Sequence, residues 1–246
     1  FSTIKADNTL YKNNYRVPMG IRYSTVQYTM LDLTSIGLIA TLGREKSGRT
    51  NFVKHMMSAI QTNLFGSITE AYVIDNPERT LQDIKKYGFV ERYTVDITEL
   101  ADIVADIEKK LVERQEAVLN DSSYSLEDEP LLLLVIENSK LFEHLQTSKE
   151  LSTKIIQMLK QYKKYKFAIV LSEIENANVP FNAPDFMKYV KENKKFVYFD
   201  EISTVKFFDV TARQQKENAK PLKTGDAFVC LNGEVERIKT ILCEEG

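Results

Sequence analysis

Eight consecutive residues, Gly43-Arg44-Glu45-Lys46-Ser47-Gly48-Arg49-Thr50, follow the spacing of a Walker A phosphate-binding loop at every fixed position but one. The pattern is Gly, four variable residues, Gly, Lys, then Ser or Thr, and Arg49 stands in the Lys place. The chemistry of such a loop is anion binding: successive backbone N–H groups and the first turn of the following helix converge on phosphate oxygens. The Thr50 hydroxyl would sit on Mg²⁺ and Arg49 would face the phosphates. Arg49 keeps the charge, but its long planar head does not reproduce the compact ammonium of lysine in a tight cradle. Lys46 stands where a glycine would let the loop turn without steric cost, and Glu45 adds a carboxylate beside the nest. These residues imply ATP and Mg²⁺ held weakly.

A phosphate-binding loop that hydrolyses needs a second strand ending in acidic residues, and Leu131 to Asn138 (LLLLVIEN) is the good candidate. With Glu137 in the metal position, Thr50 and Glu137 would hold Mg²⁺ together, and Asn138 would take the place of the general base. An amide cannot accept that proton. With Glu137 as the base, Ile136 falls at the metal position instead. Neither register keeps both functions, and loss of a general base commonly costs about 10² to 10⁴ in rate. No residue is therefore assigned a catalytic role. Asp75 ends another strand, where doubly wound folds place functional groups, yet it equally suits a cap on the turn made with Asn76 and Pro77. His55 and His144, the two histidines, lie far apart and without clustered cysteines, which argues against zinc. His55 reads as a partly buried polar residue. There is no Gly-x-Ser-x-Gly elbow.

The elements that would position these residues alternate. Ser35 to Leu42 is a short apolar run suited to a buried strand before the loop. Thr50 to Asn63 follows it with Phe52, Val53, Met56, Met57 and Ile60 at helical spacing. Further strands are expected at Glu70 to Asp75, Tyr93 to Asp96, Leu131 to Ile136, Phe167 to Leu171 and Phe196 to Phe199. Thr98 to Asn120 carries Leu100, Val104, Ile107, Leu111 and Val118 as one apolar stripe, which predicts a helix packed on a sheet. Continuously apolar strands separated by amphipathic helices predict an α/β fold with a mostly parallel sheet covered on both faces. Residues 16–34 read as antiparallel edge strands, and Ala227 to Ile241, turning at Asn232-Gly233, as a closing hairpin.

The chain has 246 residues with a formal net charge of −2, long enough for a large core and too acidic for a dominant nucleic-acid or membrane-surface role. A single domain over 1–246 is expected, with edge strands to about residue 34 and a P-loop core over 35–246. The densest apolar run falls far short of the ~20 residues of a membrane span. Cys230 and Cys243 are isolated and suit reduced thiols of a cytosolic protein. The first residue is Phe1, so the chain is expected to be excised from something longer.

Taken together, Val17-Pro18-Met19-Gly20, the alternating strand pair, Leu31-Asp32-Leu33, the apolar strand, the GREKSGRT loop and its helix resemble the opening of FtsK/SpoIIIE-type motor domains. With Tyr72-Val73-Ile74-Asp75, Arg114 in a long helix and Gly225-Asp226-Ala227-Phe228, the chain is most similar to the C-terminal ATPase domains of the EssC family. Those are the membrane-anchored coupling proteins of bacterial type VII secretion. The resemblance implies a RecA-like core on the cytoplasmic side of the cell membrane, neighbouring ATPase domains in the same protein, and hexamers during secretion. It also implies recognition of secreted WXG100-type substrates or their adaptors through C-terminal signals. Two other readings stay open: an active ATP-hydrolysing motor, and an FtsK-like DNA translocase using Lys163-Lys164-Tyr165-Lys166 and Lys191 to Lys195. The acidic net charge makes those lysines solvated faces, so no nucleic acid is expected as a partner, nor direct membrane contact.

Overall fold

The computed structural model describes residues 15–62 and 68–243. The expected helix end at Asn63 and the chain's first fourteen residues lie outside them. The strands are β1 (Arg16–Arg22), β2 (Tyr28–Asp32), β3 (Leu38–Leu42), β4 (Thr69–Ile74), β5 (Val90–Thr94), β6 (Leu131–Glu137), β7 (Phe167–Ile174), β8 (Phe196–Tyr198), β9 (Asp226–Cys230) and β10 (Val235–Thr240). The helices are α1 (Leu33–Ile36), α2 (Arg49–Thr62), α3 (Leu100–Asn120), α4 (Leu141–Thr147), α5 (Lys149–Gln161), α6 (Asp185–Asn193) and α7 (Ala212–Glu217).

All ten strands join one sheet in the order β2-β1-β10-β9-β8-β3-β7-β6-β4-β5. The block from β8 to β5 is parallel. Beyond it β9, β10, β1 and β2 continue the sheet in antiparallel pairings. This is the mostly parallel, two-faced α/β architecture with antiparallel edge strands that the alternation of elements predicts. The leucine run of β6 shows how sequence makes it: Leu132, Leu134 and Ile136 pack with α3, α5 and α6 on one face. Leu131, Leu133 and Val135 pack with α2 on the other. Side chains of a strand point alternately to opposite faces, so a strand covered on both sides must be apolar throughout.

Several boundaries differ from expectation, each for a local reason. The P-loop strand starts at Leu38 rather than Ser35, because Asp32 caps a helical turn by accepting from the backbone N–H of Thr34 and Ser35. Gly37, at φ +67°, ends that turn. The third core strand lies at 90–94 rather than 93–96, since the Asp96 side chain accepts from Thr98 N at 2.9 Å and starts the turn leading into α3. In α3 the stripe holds as far as Leu111, joined by Ile103, but the last turn leaves the core and Val118 is 36 % exposed. β7 runs three residues past Leu171. The closing hairpin forms about Gly233, at φ +84°.

Candidate functional site

The parallel strands deliver their carboxyl ends to one rim of the sheet, and the polar residues collect there. The Gly43–Thr50 loop leaves β3 and enters α2 directly at Arg49. Gly43 and Gly48 take φ +151° and +114°. A Cβ at Gly43 would lie 2.8 Å from Phe199 Cβ, and one at Gly48 3.4 Å from the same ring. Phe199, just past β8, thus forms a floor under the loop, and its ring packs 6.2 Å from that of Phe52 on α2. Lys46 takes φ +57°, the left-handed conformation that an L side chain enters only at a cost. Arg44 pairs with Asp200 at 2.8 Å, whereas Glu45 is exposed.

Among the residues read as candidates, Thr50 and Glu137 are brought together: the Thr50 hydroxyl donates to Glu137 Oε1 at 2.5 Å. Glu137 is fully buried at the end of β6. Burial pushes its carboxyl above the usual carboxylate range, the Thr50 and Thr80 hydroxyls pull it down, and the nearby Glu173 and Asp75 charges push it up again. Asn138 is turned to structural use. Its amide donates to the Asp75 carbonyl at 3.2 Å, and its oxygen accepts from Lys140 N at 3.0 Å. Asp75 serves the turn: its carboxylate accepts from Asn76 N and Leu81 N at 2.8 Å each and from the Tyr93 hydroxyl at 2.6 Å.

Asn76, read in the sequence only as a turn residue, and Thr80 and Glu173, which sequence reasoning passed over, complete the rim. Asn76 Nδ2 lies 2.9 Å from Glu173 Oε1 and equally from the Thr80 hydroxyl, which donates to Glu137 Oε1 at 3.1 Å. A polar chain therefore runs from β7 through the loop after β4 to β6 and the P-loop. The available signal was the pair Ser172-Glu173 following an apolar run, at the carboxyl end of a strand beside the P-loop strand.

The donor set suits a phosphate and a divalent cation. At this rim, among the described residues, the buried Ser47 Oγ and Glu137 Oε2 have no hydrogen-bond partner. Such atoms are costly unless something satisfies them. An anion over the loop would serve the first and a cation beside Thr50 the second, so the residues fit both groups in kind. Among the described residues no cluster of three or more His, Cys, Asp or Glu could hold a metal by itself, so phosphate oxygens would have to complete the shell.

EssC (ATPases 2 and 3) from Geobacillus thermodenitrificans matches with a TM-score of 0.73 at 17 % identity, over 95 % of this chain and 42 % of that one. The fold is that of the EssC and EccC cytoplasmic ATPase domains. Thermomonospora curvata EccC (ATPases 2 and 3), in complex with a signal sequence peptide, matches with a TM-score of 0.70 at 15 % identity, over 94 % of this chain and 41 % of that one. The pCW3 conjugation coupling protein TcpA, with ATPγS, matches at 0.67 and 13 % identity, over 98 % of this chain and 69 % of that one. The chain thus spans about two fifths of these EssC and EccC structures. No family model and no curated protein matches the sequence. Among the described residues no helix is long and apolar enough to cross a membrane.

Proposed function

We propose that this chain is a single terminal ATPase-like domain, residues 1–246, of a larger membrane-anchored type VII secretion protein. It recognises secreted substrates of the WXG100 kind, or their adaptors, through C-terminal signals. It works on the cytoplasmic side of the membrane beside further ATPase domains of the same protein and within a hexamer. Its P-loop holds ATP and Mg²⁺ weakly through Gly43 to Thr50, with Glu137 beside Thr50, and turns over little or none. The likeness to EccC ATPases 2 and 3 bound to a signal sequence peptide supports the recognition role.

The observation that carries the rest is the employment of Asn138: its nitrogen donates to the Asp75 carbonyl just past β4, its oxygen accepts within its own turn, and an amide offers no proton acceptor at that position. A fold that loses hydrolysis can keep a recognition role, because function resides in the site and not in the scaffold.

A second reading, an active motor, draws on the Thr50–Glu137 contact, which keeps a seat for a cation. Steady phosphate release separates the two. Purified domain with excess ATP and Mg²⁺ should release phosphate no faster than its Arg49→Ala variant. A rate above ~1 per second that vanishes in the variant overturns the proposal, since typical enzymes run at about 1 to 10³ per second. The DNA translocase reading finds three of its lysines already engaged. Lys166 Nζ is held by the carbonyls of Glu127 and Glu129, Lys195 Nζ by that of Ile36, and Lys191 by Asp209.

A further inference from the structure

The loop after β4 turns back on itself and so brings Thr80 to the rim. Arg79 closes that turn, its N–H donating to the Asn76 carbonyl at 3.0 Å, and takes φ +57°, which side chains other than glycine avoid. Left-handed residues of this kind gather at functional sites, where the surrounding structure holds them. Here the buried side chain of Asn76 does the holding. Its Oδ1 accepts from Thr80 N at 3.1 Å, which makes the nitrogen end of the amide the one that faces the rim. Both Nδ2 protons are then engaged, one by Glu173 Oε1 and one by the Thr80 hydroxyl oxygen, each at 2.9 Å. Glu173 meets that donor from a bulge: β7 pairs with β3 at Ala40↔Leu171 and again at Leu42↔Ile174, one residue more on β7 than on its partner.

The Thr80 hydroxyl has a single proton, and Asn76 donates to it, so that proton goes to a carboxylate. Two carboxylate oxygens are near, Glu137 Oε1 at 3.1 Å and Asp75 Oδ1 at 3.4 Å, and the shorter contact is to Glu137. The same Oε1 takes the Thr50 proton at 2.5 Å. Hydroxyls from α2 and from the loop after β4 therefore converge on one oxygen of Glu137. The other, Oε2, is buried and without a hydrogen-bond partner among the described residues. With its proton committed to Glu137, the Thr50 oxygen keeps its lone pairs free.

We propose that Thr80 is a positioning residue for a divalent cation at this rim. Together with Thr50 it fixes Glu137 through Oε1 and leaves Oε2 and the Thr50 oxygen as the atoms that would hold Mg²⁺. A glutamate side chain has several rotatable bonds to order before it can serve as a ligand, and a hydroxyl that orders it in advance removes part of that cost. Groups that orient a metal ligand in this way are commonly worth about 10- to 100-fold in metal affinity. The inference deepens the reading of the loop as a weak ATP and Mg²⁺ site and rests on it; it is independent of peptide recognition.

The test is calorimetric titration of ATP, with Mg²⁺ and again in EDTA, into wild-type protein, Thr80→Val, Thr80→Ala and Thr80→Ser. Valine keeps the shape and loses the hydroxyl, alanine loses both, and serine keeps the hydroxyl. Thr80 is half-buried, and should one of the two deletions fail to fold, the other gives the same reading. Wild type should bind ATP more tightly with Mg²⁺ than without. In Thr80→Val and Thr80→Ala the affinity for MgATP should fall about tenfold, metal-free ATP should change by less than about threefold, and Thr80→Ser should restore the wild-type pattern. An equal loss in the two conditions marks a merely structural role and overturns the proposal, as does an unchanged affinity for MgATP or a serine that fails to restore it. A wild-type protein that binds ATP equally well in both conditions overturns it while leaving the nucleotide site standing; absence of ATP binding in either condition removes both.

Discussion

At the scale of single residues, the loop is shaped by two side chains that its position does not favour. Lys46 adopts φ +57°, where an L residue pays roughly 1–2 kcal/mol that glycine does not. Arg49 brings a planar fork where a compact ammonium suits the cradle. Changing both, Lys46→Gly with Arg49→Lys, should relax the backbone and restore the compact cation. ATP affinity measured by calorimetry is expected to rise severalfold; an unchanged or lower affinity would mean that other groups close the site. These positions were legible in the sequence because the motif is local: eight residues fold against their own strand and helix. The Thr50–Glu137 contact was also legible, since a P-loop and an apolar strand ending in an acid meet by rule in such folds. Glu173 was not, because its placement depends on a bulge between two strands more than a hundred residues apart in sequence.

At the scale of elements, α2 is tied to the antiparallel edge as well as to the loop that precedes it. The ring of His55, buried on α2, lies 2.8 Å through Nε2 from the carbonyl of Pro18 in β1. Burial lowers its pKa below the ordinary histidine value, against the pull of that hydrogen bond. The folded protein therefore binds this proton less readily than the unfolded chain. The neutral form's contribution is complete above the unfolded value of about 6.5 and is lost as pH falls toward the folded one. Urea midpoints should accordingly decline from pH ~7 to pH ~5 more steeply in wild type than in His55→Gln, whose amide can still donate to Pro18. Parallel pH profiles would contradict this. Sequence reasoning foresaw His55 as partly buried and polar, but not its partner, which belongs to an element 37 positions away. It likewise read Asp75 two ways, and the donors that converge on its carboxylate, from Asn76, Thr80, Leu81 and Tyr93, assign it to the turn.

At the scale of the whole molecule, one sheet carries two unlike regions: a parallel block whose rim gathers the P-loop and the carboxylates, and an antiparallel block built from both the beginning and the end of the described chain. Periodicity revealed both regions, because strands covered on two faces are apolar throughout and helices between them are striped. It could not reveal a peptide site, since apolar residues lining a groove look the same in sequence as those of a core. Substrate recognition is expected not to depend on nucleotide chemistry. It is tested most directly by titrating the C-terminal segment of a WXG100-type substrate into wild-type protein and into Arg49→Ala, without nucleotide. Saturable binding of equal affinity is expected for both proteins, abolished when the tail of that segment is removed. Absence of binding, binding that survives loss of the tail, or binding that Arg49→Ala destroys would contradict it.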